Sequence, residues 1–288
     1  MTAITSYAAP RSLQEAVALL AAGDVTVLAG GTDLMPQSRA GRAPLRPTLM
    51  NIRRIAELRG IAEADGSVRI GALTTITELR NSALVRGRFH ALWQACDHFA
   101  SDQVRNAGTI GGNVCNASPA GDTLVPLLVL DARVVLASGR NDALATRSLP
   151  LAEFVTGPGR TARAADELLV GLELPLPPPD SISAFFKLGT RPALDISVIT
   201  IGLAARQAGG RLHEVRVAFG AVAPRPVRAP AVEAALEGRA LDDATIEAAG
   251  AAADRDIRPI DDVRATEWYR REMVGNMLRR MLAHVRDR

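Results

Sequence analysis

The stretch from Arg105 to Asp122, RNAGTIGGNVCNASPAGD, constrains this 288-residue chain more than any other. It holds four glycines, three asparagines and one proline, and almost no large apolar side chain. Glycine adopts backbone angles that other residues avoid, so the run reads as a loop rather than as regular helix or strand throughout. An apolar, helix-compatible segment precedes it (His90 to Ala100), and a strongly apolar one follows (Thr123 to Leu136). A polar, glycine-rich loop held between two buried elements is a place for a ligand. An earlier stretch, Val27 to Leu34 (VLAGGTDL), has the same character, and we read the two as closing on one ligand.

Composition narrows the classes. Apolar residues make up 48% of the chain, which is a globular share, and the length admits two domains or one large core. The formal charge of +3 is mild and comes from arginine, since Lys187 is the only lysine. Aromatic content is 3%, and no basic run is interleaved with aromatics, which argues against a nucleic-acid partner. Cys96 and Cys115 are too few for a disulfide framework and form no CxxC pair for zinc or an iron–sulfur cluster. The start, MTAITSYAAPRSL, has no positive leader followed by an apolar core, so no signal peptide is expected. No apolar run reaches the roughly 18 residues of a membrane span. The expectation is a reduced, cytoplasmic, soluble protein.

Taken in order, the chain begins with a capping box at Ser12 to Glu15. Leu13, Ala16, Val17 and Leu20 repeat at helical spacing, with Gly23 as C-cap. Val25 to Ala29 reads as a strand ending at Gly30-Gly31-Thr32-Asp33, and Thr32 or Asp33 is placed to cap a short helix. Thr48 to Ile52 is the next strand, giving a small parallel unit. From Val68 a strand passes into a helix with a second capping box at Thr75 and Glu78, and Leu92, Cys96 and Phe99 share one face of a later helix. Arg133 to Ala137 and Leu168 to Leu174 read as strands. The stiff run Pro175-Leu176-Pro177-Pro178-Pro179 marks the clearest domain boundary. Beyond it, Ser183 to Leu188 and Ile196 to Arg206 read as strands, and Gly209-Gly210 turns into a partner strand from Leu212 to Val222. Helices are expected over Ala231 to Leu236, Asp242 to Ala253, and from Asp262 to the end. The stripe Tyr269, Met273, Met277 and Met281 in the last helix reads as a packed core face.

Gly30-Gly31 is not a dinucleotide fingerprint. GxGxxG is missing, and no acidic residue lies about 20 positions on. What remains is a strand-end turn whose free amides suit an anionic group, or a tight turn with no further purpose. In the later run, exposed amides and Thr109 are expected to donate to phosphate oxygens, with Asn113 both donating and accepting. Asp122 suits either a ribose hydroxyl or the N-cap of the helix before Leu124. His90, His98, His213 and His284 have no partner at a metal spacing, Cys115 has no histidine near it in sequence, and GxSxG and GxxxxGK[ST] motifs are missing. With no acid–base set, the chemistry is expected to come from a bound cofactor.

Five motifs, in order, resemble one family: AGGTDL (Ala29 to Leu34), RNAGTIGGNVCNASPAGD (Arg105 to Asp122), TGPGRT (Thr156 to Thr161), ELLVGLELP (Glu167 to Pro175) and FFKLGTRPALDIS (Phe185 to Ser197). The chain resembles, over essentially its whole length, the FAD-binding medium subunit of molybdenum hydroxylases, which include aerobic carbon monoxide dehydrogenase and bacterial xanthine dehydrogenase. The resemblance implies an α+β fold with two FAD-binding subdomains of the vanillyl-alcohol-oxidase type, 1–56 and 57–176. A C-terminal domain, 180–288, of a three-stranded antiparallel sheet plus helices would follow. It implies FAD as the cofactor, and the lack of histidine in either glycine motif leads us to expect that the flavin is held noncovalently. The FAD contacts it implies are Ala29, Gly30, Gly31, Thr32, Asp33 and Leu34 with Thr109, Ile110, Gly111, Gly112 and Asn113 for the diphosphate. To these it adds Asp122, Leu169 in the ELL strand, Lys187, and Phe99 as an aromatic near the flavin.

The resemblance also implies partners: a molybdopterin large subunit that oxidises the substrate and a small subunit with two two-iron two-sulfur clusters, assembled as a dimer of heterotrimers. FAD would collect electrons singly and pass them to an external acceptor. That division explains why the chain has neither cluster cysteines nor a substrate acid–base pair. Leu194 before Asp195 departs from the acidic residue of NAD-using xanthine dehydrogenases and argues against NAD as acceptor. Two other readings compete: a stand-alone FAD-dependent oxidoreductase of the same fold, and an assembly module that has lost its flavin.

Overall fold

The computed structural model describes residues 4–140, 143–191 and 194–287. Pro192 and Ala193 of the fifth motif, and Met1 to Ala3 of the N-terminal stretch, lie outside the described residues. The chain opens with β1 (Ser6–Ala8), α1 (Leu13–Ala22), β2 (Val25–Leu28), α2 (Leu34–Arg39) and β3 (Thr48–Asn51). The three strands pair in parallel, in the order β1-β3-β2; β2 and β3 form the parallel unit expected from the sequence, and β1 adds a strand that the sequence reading did not include. Ser12 caps α1 by accepting from the Glu15 amide, but Glu15 reaches back to the Arg11 amide, so the box closes one residue early. Gly23 ends the helix at φ +86°, a conformation that favours glycine.

A second, antiparallel sheet follows. Its strands are β4 (Ile61–Ala64), β5 (Ser67–Gly71), then β6 (Arg133–Arg140), β7 (Ala143–Pro150) and, after the one-turn helix α9 (Leu151–Phe154) and the short pair β8 (Val155–Gly157) and β9 (Arg160–Thr161), β10 (Glu167–Pro175). The order is β4-β5-β10-β6-β7. Between β5 and β6 lie six short helices: α3 (Ile76–Asn81), α4 (Ala83–Arg88), α5 (His90–Asp97), α6 (Asp102–Ala107), α7 (Ile110–Asn116) and α8 (Leu124–Val129). The Thr75–Glu78 capping box is complete at α3. Every residue of α8 is buried, as its unbroken apolar run requires.

The run from Arg105 to Asp122 is thus not one loop. Short helices occupy much of it, and each has a hydroxyl N-cap: Ser101 before α6 and Thr109 before α7. A serine or threonine ahead of a run stabilises a first turn even where glycines lower its propensity. Likewise Phe99 lies past the end of α5 rather than on its face.

The third sheet holds three long antiparallel strands, β11 (Ser181–Leu188), β12 (Ile199–Ala208) and β13 (Arg211–Gly220), with a two-residue β14 (Val227–Arg228) beside β13. Helices α10 (Pro230–Leu236), α11 (Asp243–Ala252) and α12 (Glu267–Arg286) complete the chain. The last helix starts at Glu267, because Thr266 caps it and Asp262 instead organises the preceding turn. Met277 and Met281 are buried, and Tyr269 is 37% exposed, so the stripe is core only at its C-terminal end.

Three apolar cores hold these parts together, and each crosses an element boundary. In the first, Ala16, Val17 and Leu20 of α1 pack with Ala137, Leu168 and Val170 of the second sheet. In the second, helices α5 and α8 pack with Phe185, Ala204 and Ala218 of the third sheet. Phe185 donates its amide to the Gln94 side chain at 2.8 Å, and Ser183 accepts from the Ala91 amide at 3.1 Å. The third core fills the space between the last sheet and α10 to α12.

Candidate functional site

The two glycine turns meet. Strand β2 ends at Leu28, and Gly30, two residues on, comes so close to the end of α6 that a Cβ there would lie 2.1 Å from the Ala107 carbonyl oxygen. On the facing side, a Cβ on Gly108 would lie 3.3 Å from the Thr32 hydroxyl. Gly31 has φ +73°, which only glycine adopts without strain. Asp33 stands at the N-cap of α2, yet its carboxylate takes the Gln37 side-chain amide at 2.7 Å instead of a backbone one. Among the described residues, the backbone amides of Gly30, Gly31, Thr32, Asp33 and Leu34 have no acceptor within the chain.

The second turn is built differently. The Ile110 amide donates to Thr74 O and the Gly111 amide to Ala72 O, both at 3.0 Å. The Gly112 amide donates to Thr109 Oγ1 at 3.1 Å and the Asn113 amide to Thr109 O at 3.0 Å. These four amides are spent, so the expectation that they reach phosphate oxygens is corrected. Gly111 is required because a Cβ would lie 2.7 Å from Ala72 O. Gly112 is exposed, and its missing side chain leaves a smooth surface.

Both turns line one cavity of about 1330 Å³. Of the residues expected to bind, Ala29 to Leu34, Phe99, Thr109, Gly111, Gly112, Asn113, Asp122 and Leu169 face it. Ile110 is in the core instead, and Lys187 reaches the site through Asp122. The third sheet and its loops close the cavity with Asp195, Ile196, Ser197, Ala221 and Pro224.

Asp122 is the junction of the parts. Its carboxylate accepts from Lys187 Nζ at 2.6 Å and from Ser197 Oγ at 2.6 Å, both from the C-terminal part of the chain. Thr123 is the N-cap residue of α8, so the N-cap reading of Asp122 does not hold. Lys187 and Asp122 side chains are 9% and 10% exposed. Burial pushes the Asp122 carboxyl upward from the ordinary carboxylate range, and Lys187 and Ser197 work against that rise. Beside it, the Thr123 hydroxyl donates to Asn113 Oδ1 at 2.6 Å, tying α8 to the second turn.

Sequence reasoning missed the arginines of this cavity: Arg42, Arg46, Arg163, Arg258, Arg264 and Arg270. No motif marks them, because each reaches the site only through tertiary contact. Arg270 is 2% exposed and donates to the carbonyls of Val198 and Ile260 and, at 2.8 Å, to Asp262. Burial acts to raise the Asp262 carboxyl, but the Arg264 amide, Arg270 and the Ala265 amide outweigh it and hold it low. Cys115 also lines the cavity; burial pushes its thiol up to about 11, so it is protonated at neutral pH and not a nucleophile. Among the described residues, no three His, Cys, Asp or Glu side chains gather to hold a metal ion.

The cavity fits FAD in its donors. A row of unpaired amides beside a glycine-smooth wall suits a diphosphate, and apolar Phe99 and Leu169 suit a flat ring. Comparison with known proteins points the same way. A family model described as the FAD binding domain in molybdopterin dehydrogenase matches residues 2–177, and one described as the CO dehydrogenase flavoprotein C-terminal domain matches residues 184–285. The xanthine dehydrogenase FAD-binding subunit of Escherichia coli O157:H7 is 35% identical over 283 residues, covering 97% of this chain and 95% of the relative. The carbon monoxide dehydrogenase medium chain of Hydrogenophaga pseudoflava is 34% identical over 278 residues, covering 96% and 95%. A solved carbon monoxide dehydrogenase from Hydrogenophaga pseudoflava, lacking the Mo-pyranopterin moiety of the molybdenum cofactor, superposes with a TM-score of 0.92. It is 34% identical and covers 98% of this chain and 97% of its own.

Proposed function

This chain belongs to the family of FAD-binding medium subunits of the molybdenum hydroxylases, and on that premise we propose how it serves its complex. FAD is its cofactor, held noncovalently with the diphosphate on the free amides of Gly30 to Leu34. Those five unpaired amides at the meeting of the two turns carry the proposal. Thr109 and Asn113 border the phosphates, with Gly111 and Gly112 giving the backbone its close approach. Phe99, Leu169 and the Asp122–Lys187 pair border the rest of the cofactor. Ile110 supports this wall from the core. Bound FAD supplies the redox chemistry, taking electrons one at a time and storing two.

Electrons come from an iron–sulfur small subunit, fed in turn by a molybdopterin large subunit, and leave to an external acceptor. A dimer of heterotrimers in the cytoplasm fits this division of labour. Several relatives are named medium chains or subunits, which supports a heteromeric role. Among the described residues, no helix is long and apolar enough to cross a membrane. We take the parts of the chain as 1–56, 57–176 and 180–288, each centred on one sheet.

Purification of the full chain with its partners tests the reading. The expected result is a yellow complex that releases FAD on denaturation and whose flavin is reduced by the reduced iron–sulfur subunit. Colourless protein that takes up no FAD contradicts it. Flavin that stays on the denatured chain contradicts the noncovalent part.

A further inference from the structure

We infer that Arg105 is a positioning residue for the cavity wall, holding the Phe99–Ala100 turn and through it the ring of Phe99 against the cofactor. The inference rests on the FAD reading above. Arg105 Nη1 donates to the carbonyls of both Phe99 and Ala100, and Nη2 to Asp102 Oδ1 at 2.6 Å. Its side chain is 12% exposed. Phe99, Ala100 and Val104 line the cavity, and Arg105 stands behind them.

Ala100 gives the clamp its purpose. Its φ of +35° lies in the left-handed region, where a residue with a Cβ is strained. Such a conformation persists only when the surroundings hold it. Two carbonyls of consecutive residues, both accepting from one guanidinium nitrogen, do so. Lysine does not reproduce the arrangement, because holding two carbonyls and a carboxylate at once needs the planar fork. The other end of the same helix, at Ala107 and Gly108, abuts Gly30 and Thr32. One short helix therefore sets the distance between the aromatic wall and the first glycine turn. Arg105 Nε is buried with no partner in the chain, although a buried donor is normally paired. Retaining that orphan donor points to a place where the fork is needed for its other bonds.

The test uses full-length chains freed of flavin and titrated with FAD, reading the dissociation constant and the flavin fluorescence. Arg105→Lys and Phe99→Leu are each expected to weaken FAD by about tenfold and to change the fluorescence of the bound flavin. The double variant is expected to be no weaker than Phe99→Leu alone, because both act through one ring. Wild-type affinity and fluorescence in Arg105→Lys, or losses that simply add, overturn the inference. If Arg105→Lys folds poorly by circular dichroism, adding Ala100→Gly removes the left-handed strain and restores folding, while the more flexible glycine leaves the turn, and with it the Phe99 ring, unclamped. The affinity loss is then expected to remain; recovery of wild-type affinity assigns Arg105 to folding alone and overturns the inference. Wild-type chain that binds no FAD sinks the cofactor reading itself, whereas wild-type binding with unchanged variants sinks only the role of Arg105.

Discussion

The two double-glycine turns have nearly the same composition and opposite physical uses. Gly30-Gly31 ends a strand, contacts α6 through its missing Cβ, and leaves five amides free in a row. Gly111-Gly112 opens a helix, and its amides are bonded to Ala72 and Thr109. The first turn is chemical, offering donors to an anion. The second is steric: Gly111 lets the helix lie on the Ala72 backbone, and Gly112 keeps the cavity wall flat. Glycine pairs alone do not distinguish these roles, since one residue type serves both needs.

The largest effect is expected at Gly30. Alanine there would place Cβ 2.1 Å from Ala107 O, so the two turns cannot stay in contact. Gly30→Ala is expected to abolish FAD binding in titration and to lower stability by about 3 kcal/mol, the upper end for forced overpacking. Wild-type affinity in this variant would break the claim that the turns act together.

Lys187→Met comes next. Removing one partner of a buried pair costs about 3 kcal/mol in denaturant unfolding. The sign of its pH dependence follows from Asp122, whose pKa burial raises. A group with a raised folded pKa contributes stability that is full below its unfolded pKa and lost as pH rises through the folded one. Without Lys187 the rise is larger, so the variant is expected to suffer less at pH 5 than at pH 8. A penalty that shrinks with rising pH would contradict this account of the pair.

Gly111→Ala separates steric from chemical use. With Cβ 2.7 Å from Ala72 O, it is expected to lose about 1–3 kcal/mol with FAD absent as well as present. The smallest effect belongs to Thr109→Val, which removes the hydroxyl that caps α7 and costs about 1 kcal/mol in thermal unfolding. A larger loss there than at Gly111 would reverse the assignment of the second turn.

Much of the fold was legible because its signals are local. The Thr75–Glu78 box, Gly23 as a C-cap, and the Gly209-Gly210 hairpin between β12 and β13 are short-range chemistry, and each stands where the sequence placed it. Strand β7 was not legible: its residues are mostly exposed, so it lacks the apolar signal of its partner β6. The helices inside Arg105 to Asp122 were hidden because capping hydroxyls outweigh the low propensity of glycine there. In the site, both glycine turns line one cavity, but the bonds of the Ile110 and Gly111 amides depend on Thr74 and Ala72, far away in sequence. Arg258 and Arg270 were invisible for the same reason, whereas Arg105 stood at the head of the motif with its local bonds to Phe99, Ala100 and Asp102 unmarked by any pattern.

The central claim is that the amides of Gly30 to Leu34 hold the diphosphate while those of Ile110 to Asn113 serve the fold. Amide hydrogen exchange of the full chain, with and without FAD, tests it directly. The account predicts that FAD slows exchange at residues 30–34, whereas residues 110–113 are already slow without it. New protection at 110–113 with none at 30–34 would contradict it.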